Sequence, residues 1–77
     1  MNTKTLGTQD SKRVRACALH AKLIANTDAL YADQVDHEEH GRINGGIWGE
    51  IEAGGLQRAV SALLRGDDED FEQAVAS

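Results

Sequence analysis

No proline interrupts this 77-residue chain, and its apolar residues recur three and four positions apart over most of its length. That spacing places them along one side of an α-helix, whereas a half-buried strand needs strict alternation. The chain is also rich in Ala, Leu, Glu and Arg, which favour helices. The sequence therefore predicts an all-α protein, a compact bundle of three to four short helices within residues 10–77. The first nine residues lack periodicity and are predicted to be a disordered tail.

The first predicted helix begins near Asp10 or Ser11, because either side chain can accept a hydrogen bond from an N–H group of the first turn. It runs through VRACALHAKLIANTDALYA and carries two neighbouring apolar groups. One group consists of Val14, Cys17, Ala21, Ile24 and Tyr31, and the other of Leu19, Leu23 and Leu30. We expect both groups to form one broad face towards the core. Residues 26–28, Asn-Thr-Asp, are a weak point where the helix could bend or break.

Six of the eight glycines fall within residues 41–55, GRINGGIWGEIEAGG. Asn44-Gly45 is a common hairpin turn, which makes a β-hairpin one interpretation of this segment. The isoleucines at positions 43, 47 and 51 are four residues apart, however, and this spacing favours a helix. We favour the helix and expect its isoleucines to face the core. Gly41, Gly45 and Gly49 then form a smooth strip on the opposite side.

The ends of the later helices can be predicted from capping residues. Asp36 and Glu39 match a capping box at the start of the second helix, and Gly54-Gly55 is a natural stop. The third helix is LQRAVSALLR, residues 56–65, and Gly66 closes it. Its expected inward side chains are Leu56, Val60, Leu63 and Leu64. Asp67 caps a short fourth helix within DDEDFEQAVA, from which Phe71, Ala74 and Val75 are expected to face inward.

A chain of this size buries only about 60% of its unfolded surface, so its core is marginal. Small domains usually gain stability from disulfides, a metal or a partner. Cys17 is the single cysteine, which excludes an intrachain disulfide and fits a reducing compartment. The N-terminus has no secretory apolar region and no segment is long enough to span a bilayer. We therefore predict a cytoplasmic protein that self-associates or docks on a partner.

The net charge of −5 is unevenly distributed along the chain. Five of the eight basic residues lie within residues 1–22, whereas twelve of the thirteen acidic residues lie within residues 23–77. An acidic surface repels nucleic acid and attracts basic protein surfaces. The simpler interpretation is that the acids only keep a small protein soluble.

No catalytic or metal site is predicted. His37 and His40 are three residues apart, which can bring two imidazoles to one zinc ion, but the metalloprotease motif needs histidines four apart. Cys17 is close to His20 on a helix, yet it lies on the apolar stripe, where a thiol is an inert hydrophobe. We therefore expect a protein without enzymatic activity, metal or cofactor.

The predicted contact surface combines the glycine strip with acids of the second and fourth helices. A partner backbone can approach closely at glycines, and tryptophan is enriched among binding hot spots. The residues of this surface are Gly45, Trp48, Gly49, Glu52, Asp67, Asp68, Glu69 and Asp70. Two alternatives stay open: Trp48 covers the rim of the core, and the acids of the fourth helix are a solvated helix start that favours its dipole.

The segment LYADQVDHEEHGRINGGIWGEIEAGGLQRAVSALLRG resembles short open reading frames carried by bacteriophages and mobile elements, which include anti-CRISPR proteins. The resemblance is one of size, charge and layout, covers about residues 19–66 and carries over no functional residue. It implies an inhibitor without enzymatic activity, acting in the bacterial cytoplasm. Such a protein binds a CRISPR effector subunit and often blocks nucleic-acid binding. The basic start of the first helix departs from a pure DNA mimic.

A second functional hypothesis is a small helical regulatory or DNA-binding adaptor that acts as a homodimer. The second and third helices, joined by Gly54-Gly55, could form a helix-turn-helix. The recognition helix would then offer only Arg58 and Arg65, flanked by acids. We therefore expect direct DNA binding to be absent.

Overall fold

The computed structural model describes residues 8–77, with side chains from Asp10 onwards. This part of the chain forms four helices and no strand: α1 (Thr8–Tyr31), α2 (His37–Ala53), α3 (Gln57–Arg65) and α4 (Asp68–Ala76). The predicted all-α bundle is confirmed. The predicted disordered tail lies mostly outside the described residues, although Thr8 and Gln9 already belong to α1.

The long helix α1 organises the bundle. Its 24 residues span about 36 Å, close to the 44 Å length of the molecule. α2, α3 and α4 all pack against it, and α3 packs closely on α4. The short helices thus cover one side of α1.

α1 continues through residues 26–28, so the predicted weak point does not break it. The Thr27 hydroxyl donates to the carbonyl of Leu23 at 3.0 Å, one turn back in the same helix. The Asn26 side chain is buried and its Nδ2 donates to the carbonyl of His40 in α2 at 3.1 Å. These polar side chains are satisfied within or across helices, and they do not compete with the backbone of α1.

All four helices contribute to one core. α1 supplies Ala16, Leu19 and Leu23; α2 supplies Ile47 and Ile51; α3 and the residue before it supply Leu56, Ala59, Val60 and Ala62; α4 supplies Phe71, Ala74 and Val75. Ile43, Trp48 and Leu63 are partly buried against this cluster. The inward isoleucines of α2 and the inward side chains of α4 are confirmed.

The expected orientation of α1 is wrong for its first apolar group. Val14 is 69% exposed, Ile24 43% and Tyr31 81%, and Cys17 and Ala21 are exposed as well. Only the side with Leu19 and Leu23 enters the core. Apolar residues occur on both sides of α1, and three short helices cover only one of them. Leu64 in α3 is also exposed at 46%, contrary to the prediction.

The predicted start of α1 at a cap formed by Asp10 or Ser11 is wrong, because the helix already begins at Thr8 and both residues lie inside it. The predicted ends of the later helices are confirmed by their hydrogen bonds. Asp36 caps α2, with its Oδ1 accepting from the Glu39 N–H at 2.7 Å. Asp67 caps α4 in the same way, accepting from the Asp70 N–H at 3.0 Å. Gly66 ends α3 in the left-handed region at φ 72°, which glycine adopts without strain.

The glycine-rich segment is part of one continuous helix. α2 runs from His37 to Ala53 without a hairpin, and Gly54 is its C-cap. Packing of Ile47 and Ile51 compensates for the weak helix propensity of the glycines. None of the described helices is both long and apolar enough to cross a bilayer.

Candidate protein-binding surfaces

The glycine strip of α2 is open to solvent. A Cβ atom added at Gly41, Gly45 or Gly49 would meet no neighbouring atom within 4 Å. Glu52 is exposed on the same outward side. The glycines are therefore not required by packing within the described chain, and an approaching backbone would find a smooth surface there.

Trp48 lies at the edge of this strip. Its side chain is half-buried and packs against the core. It therefore covers the rim of the core, as the simpler interpretation expects. The rest of the side chain remains accessible beside Gly45 and Gly49, so a contact at the strip would include it.

Only part of the acidic run at the start of α4 is available to a partner. Asp68 and Glu69 are exposed, and within the described chain neither forms an ion pair or a side-chain hydrogen bond. The Asp67 carboxylate caps α4 through its Oδ1, and its Oδ2 lies 3.7 Å from Arg65 Nη2. Asp70 is held most firmly, because two arginines of α3 converge on it.

The Asp70 cluster is a structural link between α3 and α4. Its Oδ1 accepts from Arg58 Nη2 at 2.6 Å and from Arg58 Nε at 3.0 Å, and its Oδ2 accepts from Arg65 Nη2 at 2.9 Å. The hydrogen bond from Arg58 is the main cause that lowers the pKa of Asp70 below its ordinary value of 3.8. Arg65 acts in the same direction, and desolvation opposes both. Asp70, predicted to belong to the contact surface, is instead occupied by arginines that lie 12 and 5 positions before it in the sequence.

The two halves of the predicted surface are separate. No Cα atoms of α2 and α4 come within 8 Å of each other, whereas both helices contact α1 and α3. Gly45, Trp48, Gly49 and Glu52 therefore form one patch on α2. Asp68 and Glu69 form a second patch at the start of α4.

A further acidic patch lies at the corner between α1 and α2. It consists of Asp28, Asp33, Asp36, Glu38 and Glu39, all exposed. Asp33 adopts a φ of 60°, a left-handed conformation that aspartate tolerates better than most residues, and this turns the chain into α2. The sequence shows these five acids within twelve residues. The turn between α1 and α2 then brings the end of α1 beside the start of α2, which places the acids at one corner of the molecule.

A depression of about 480 Å³ adjoins the corner patch. Its lining combines apolar Leu30, Tyr31 and Val35 with polar Asp33, Asp36 and His37. Carboxylates beside apolar surface suit a long basic side chain, whose aliphatic stem packs while its charged end is paired. The corner patch thus has the chemistry to receive a lysine or arginine of a partner.

The histidines and the cysteine are dispersed. Among the described residues, no three His, Cys, Asp or Glu side chains are grouped so as to hold a metal ion. Cys17 is exposed, which corrects its predicted burial in the core. His40 is half-buried, and its Nε2 is enclosed without a hydrogen-bond partner in the described chain.

The basic residues of the described chain are largely engaged with its own acids and carbonyls. Arg13 forms a bidentate pair with Glu72, with both N···O distances 2.6 Å. Lys12 Nζ donates to the Ser77 carbonyl at 2.9 Å. Arg15 Nη2 lies 3.6 Å from Glu50 Oε2, and Lys22 Nζ lies 3.8 Å from Glu50 Oε1. Arg58 and Arg65 of α3 are both held by Asp70.

Comparison of the chain with protein-family models, with curated proteins and with solved structures finds no match.

Proposed function

We propose that this protein is a non-enzymatic inhibitor that binds a partner with a basic surface. In its specific form, the proposal is that a CRISPR effector subunit is the partner and that binding blocks its access to nucleic acid, as proteins of the anti-CRISPR type do. The protein then acts in the cytoplasm of a bacterial cell, without a metal or cofactor.

One observation carries the proposal: most of the carboxylates are left unpaired at the surface. Of the thirteen acidic residues, only Glu50, Asp67, Asp70 and Glu72 form ion pairs within the described chain. The nine others are Asp10, Asp28, Asp33, Asp36, Glu38, Glu39, Glu52, Asp68 and Glu69. They are largely collected in the corner patch and at the start of α4. Such a field steers a basic partner towards the protein and raises the association rate.

The corner patch is the better of the two acidic patches for binding. Asp33 and Asp36 line its depression together with Leu30, Tyr31 and Val35, although Asp36 also caps α2, and Glu38 and Glu39 are exposed in the adjoining first turn of α2. The start of α4 offers only Asp68 and Glu69. Apolar surface beside charge permits a contact with both affinity and orientation, while isolated rim charges mainly change the association rate.

The test is affinity capture of CRISPR effector complexes from bacterial lysates, followed by a DNA-binding assay with the purified effector. Wild-type protein should capture the effector and prevent its DNA binding. Glu38→Gln with Glu39→Gln should lower the affinity at least about tenfold, since two charges facing the partner are removed. The affinity should also fall as salt is raised.

A matched control separates a specific contact from overall charge. Gln57→Lys with Ala76→Lys changes the net charge by the same two units at exposed positions outside the corner patch. This control should bind nearly as wild type does. Equal losses of affinity in both variants would show that overall charge, and not the corner patch, determines binding. Recovery of DNA without an effector would overturn the inhibitor proposal.

The glycine strip can be tested separately. Gly45→Ala and Gly49→Ala should each stabilise the fold by about 0.5–1 kcal/mol in denaturant unfolding, because the added methyl groups meet open space and the helix propensity rises. If the strip contacts the partner, the same variants weaken effector capture while raising stability. Unchanged capture would remove the strip from the contact surface.

A further inference from the structure

An open groove of about 600 Å³ runs between α1 and α2. Its floor is apolar, because Ile43 and Ile47 pack against the core beneath it. One wall belongs to α1, and the other is a row of residues four positions apart along one edge of α2. These walls are formed by Lys22 and Ala25 of α1 and by Arg42, Gly46 and Glu50 of α2.

The two ends of the groove differ in how their charges are paired. At one end, the Glu50 carboxylate lies 3.8 Å from Lys22 Nζ and 3.6 Å from Arg15 Nη2, so both cations face an acid of the same chain. Arg42, two turns away on α2, forms neither an ion pair nor a side-chain hydrogen bond within the described chain. Every other Lys and Arg of the described chain has such a partner. The Arg42 guanidinium is therefore free to bind a ligand.

We propose that this groove binds an amphipathic helix of a protein partner, with an acidic residue of that helix paired to Arg42 and an apolar residue one turn along placed over Gly46. The inference goes beyond the proposed function, because it assigns a second surface that takes an acidic segment, whereas the corner patch takes a basic group. A guanidinium binds a carboxylate through two parallel hydrogen bonds, which fix the orientation of the partner as well as adding affinity.

The shape of the groove suits a helix better than a small molecule. Pockets for small molecules enclose most of their ligand, whereas this groove is open along its length. Its opposite walls are low at Ala25 and Gly46, and a Cβ atom added at Gly46 would meet no neighbouring atom within 4 Å. An apolar side chain of a partner helix can therefore reach Ile43 and Ile47, as when amphipathic helices bind in apolar grooves. Arg42 and Gly46 are about 6 Å apart along α2, which matches one turn of a bound helix.

Selection from a display library of helical peptides tests the proposal. Alanine-based peptides of about 18 residues, long enough to form helices, are randomised on one face and selected on the wild-type protein. The selected peptides should carry an acidic residue followed by an apolar residue three or four positions later. On binding, amide NMR signals should shift at the groove residues Ala25, Arg42, Ile43, Gly46 and Ile47. A library that yields no binder would overturn the proposal, as would binders that lack the acid or shift signals only outside the groove.

The pair at Arg42 is measured with the tightest selected peptide. Arg42→Gln should weaken binding about tenfold, as expected for the loss of a charged hydrogen-bonded pair. A peptide in which Gln replaces the acid should bind wild type and Arg42→Gln equally weakly. The control Gln57→Glu changes the net charge by the same one unit at an exposed position outside the groove and should bind as wild type does. Equal losses of affinity in Arg42→Gln and Gln57→Glu would contradict a specific pair.

Gly46→Leu tests whether the partner helix enters the groove. The new side chain meets open space in the free protein, so the fold should persist, but it occupies the groove and should weaken peptide binding at least about tenfold. The matched control is Gly45→Leu, where the same side chain lies about 100° further round α2, on the side away from α1. Circular dichroism checks that both variants are folded. Peptide binding that survives Gly46→Leu would show that the groove is not the binding site.

Discussion

The two sides of α1 differ in burial although both are apolar. Leu19 and Leu23 are almost completely buried beneath the other helices, while Val14, Ile24 and Tyr31 on the outward side stay exposed. The helices α2, α3 and α4 all pack against the side of α1 that carries Leu19 and Leu23, so none of them covers the outward side. Burial therefore depends on where the other helices pack as well as on the apolar pattern of α1.

Replacing one apolar residue on each side of α1 should give the largest difference in the free energy of unfolding. Leu19→Ala leaves a cavity in the core and should lower the free energy of unfolding by about 2–5 kcal/mol. Ile24→Ala removes a side chain that is already 43% exposed and should cost less than about 1 kcal/mol. Urea unfolding at low protein concentration, followed by circular dichroism, compares the two. Similar losses would mean that the outward side is also buried in the folded monomer.

Substitutions of polar residues on the two sides of α1 should differ less in their effect on stability. Asn26→Ala removes the buried side chain that donates to the His40 carbonyl and should destabilise the protein by about 1 kcal/mol, after a small gain in helix propensity. Asp28→Ala changes an exposed residue in the last turn of α1, where a negative charge opposes the helix dipole. It should be neutral or slightly stabilising in thermal unfolding. A larger loss for Asp28→Ala than for Asn26→Ala would contradict this difference.

The smallest effect is expected at the Arg13–Glu72 pair, which joins α1 to α4. The hydrogen bond from Arg13 is the main cause that lowers the pKa of Glu72 below its ordinary value of 4.5. A lowered folded-state pKa contributes stability above the unfolded value, and that stability is lost as the pH falls through the folded pKa. The contribution should therefore be present at neutral pH and decline once the pH is lowered past 4.5.

Unfolding measured from pH 7 to pH 2 checks this contribution. Glu72→Gln should lower stability slightly at neutral pH and converge with the wild type in acid, because its side chain cannot titrate. The control Glu69→Gln, at an exposed residue without an ion pair in the described chain, should keep the wild-type pH dependence. Identical pH profiles for wild type and Glu72→Gln would show that the pair contributes nothing measurable to stability.

Local chemistry was sufficient to predict much of this fold. Asp36 and Asp67 cap helices because their carboxylates lie next to N–H groups that have no other partner. The spacing of Ile43, Ile47 and Ile51 outweighed the Asn44-Gly45 hairpin signal, since packing of the isoleucines holds α2 together despite its glycines. These features depend on neighbours within a few residues, which the sequence displays directly.

The contact surface was less predictable because it depends on distant residues. Asp68 and Asp70 are both acids at the start of α4, yet only Asp70 is held by Arg58 and Arg65. The corner patch arises where the turn after Tyr31 brings the end of α1 beside the start of α2. Neither fact follows from composition or periodicity along a single helix.

By itself, then, the sequence determined an all-α bundle of three to four helices, the ends of the later helices and the inward sides of α2 and α4. The tertiary structure decided which side of α1 is buried and which carboxylates stay unpaired. The physical reason is the range of the interactions concerned. Capping and helical periodicity act within one or two turns, whereas burial and ion pairing require surfaces from different helices to meet.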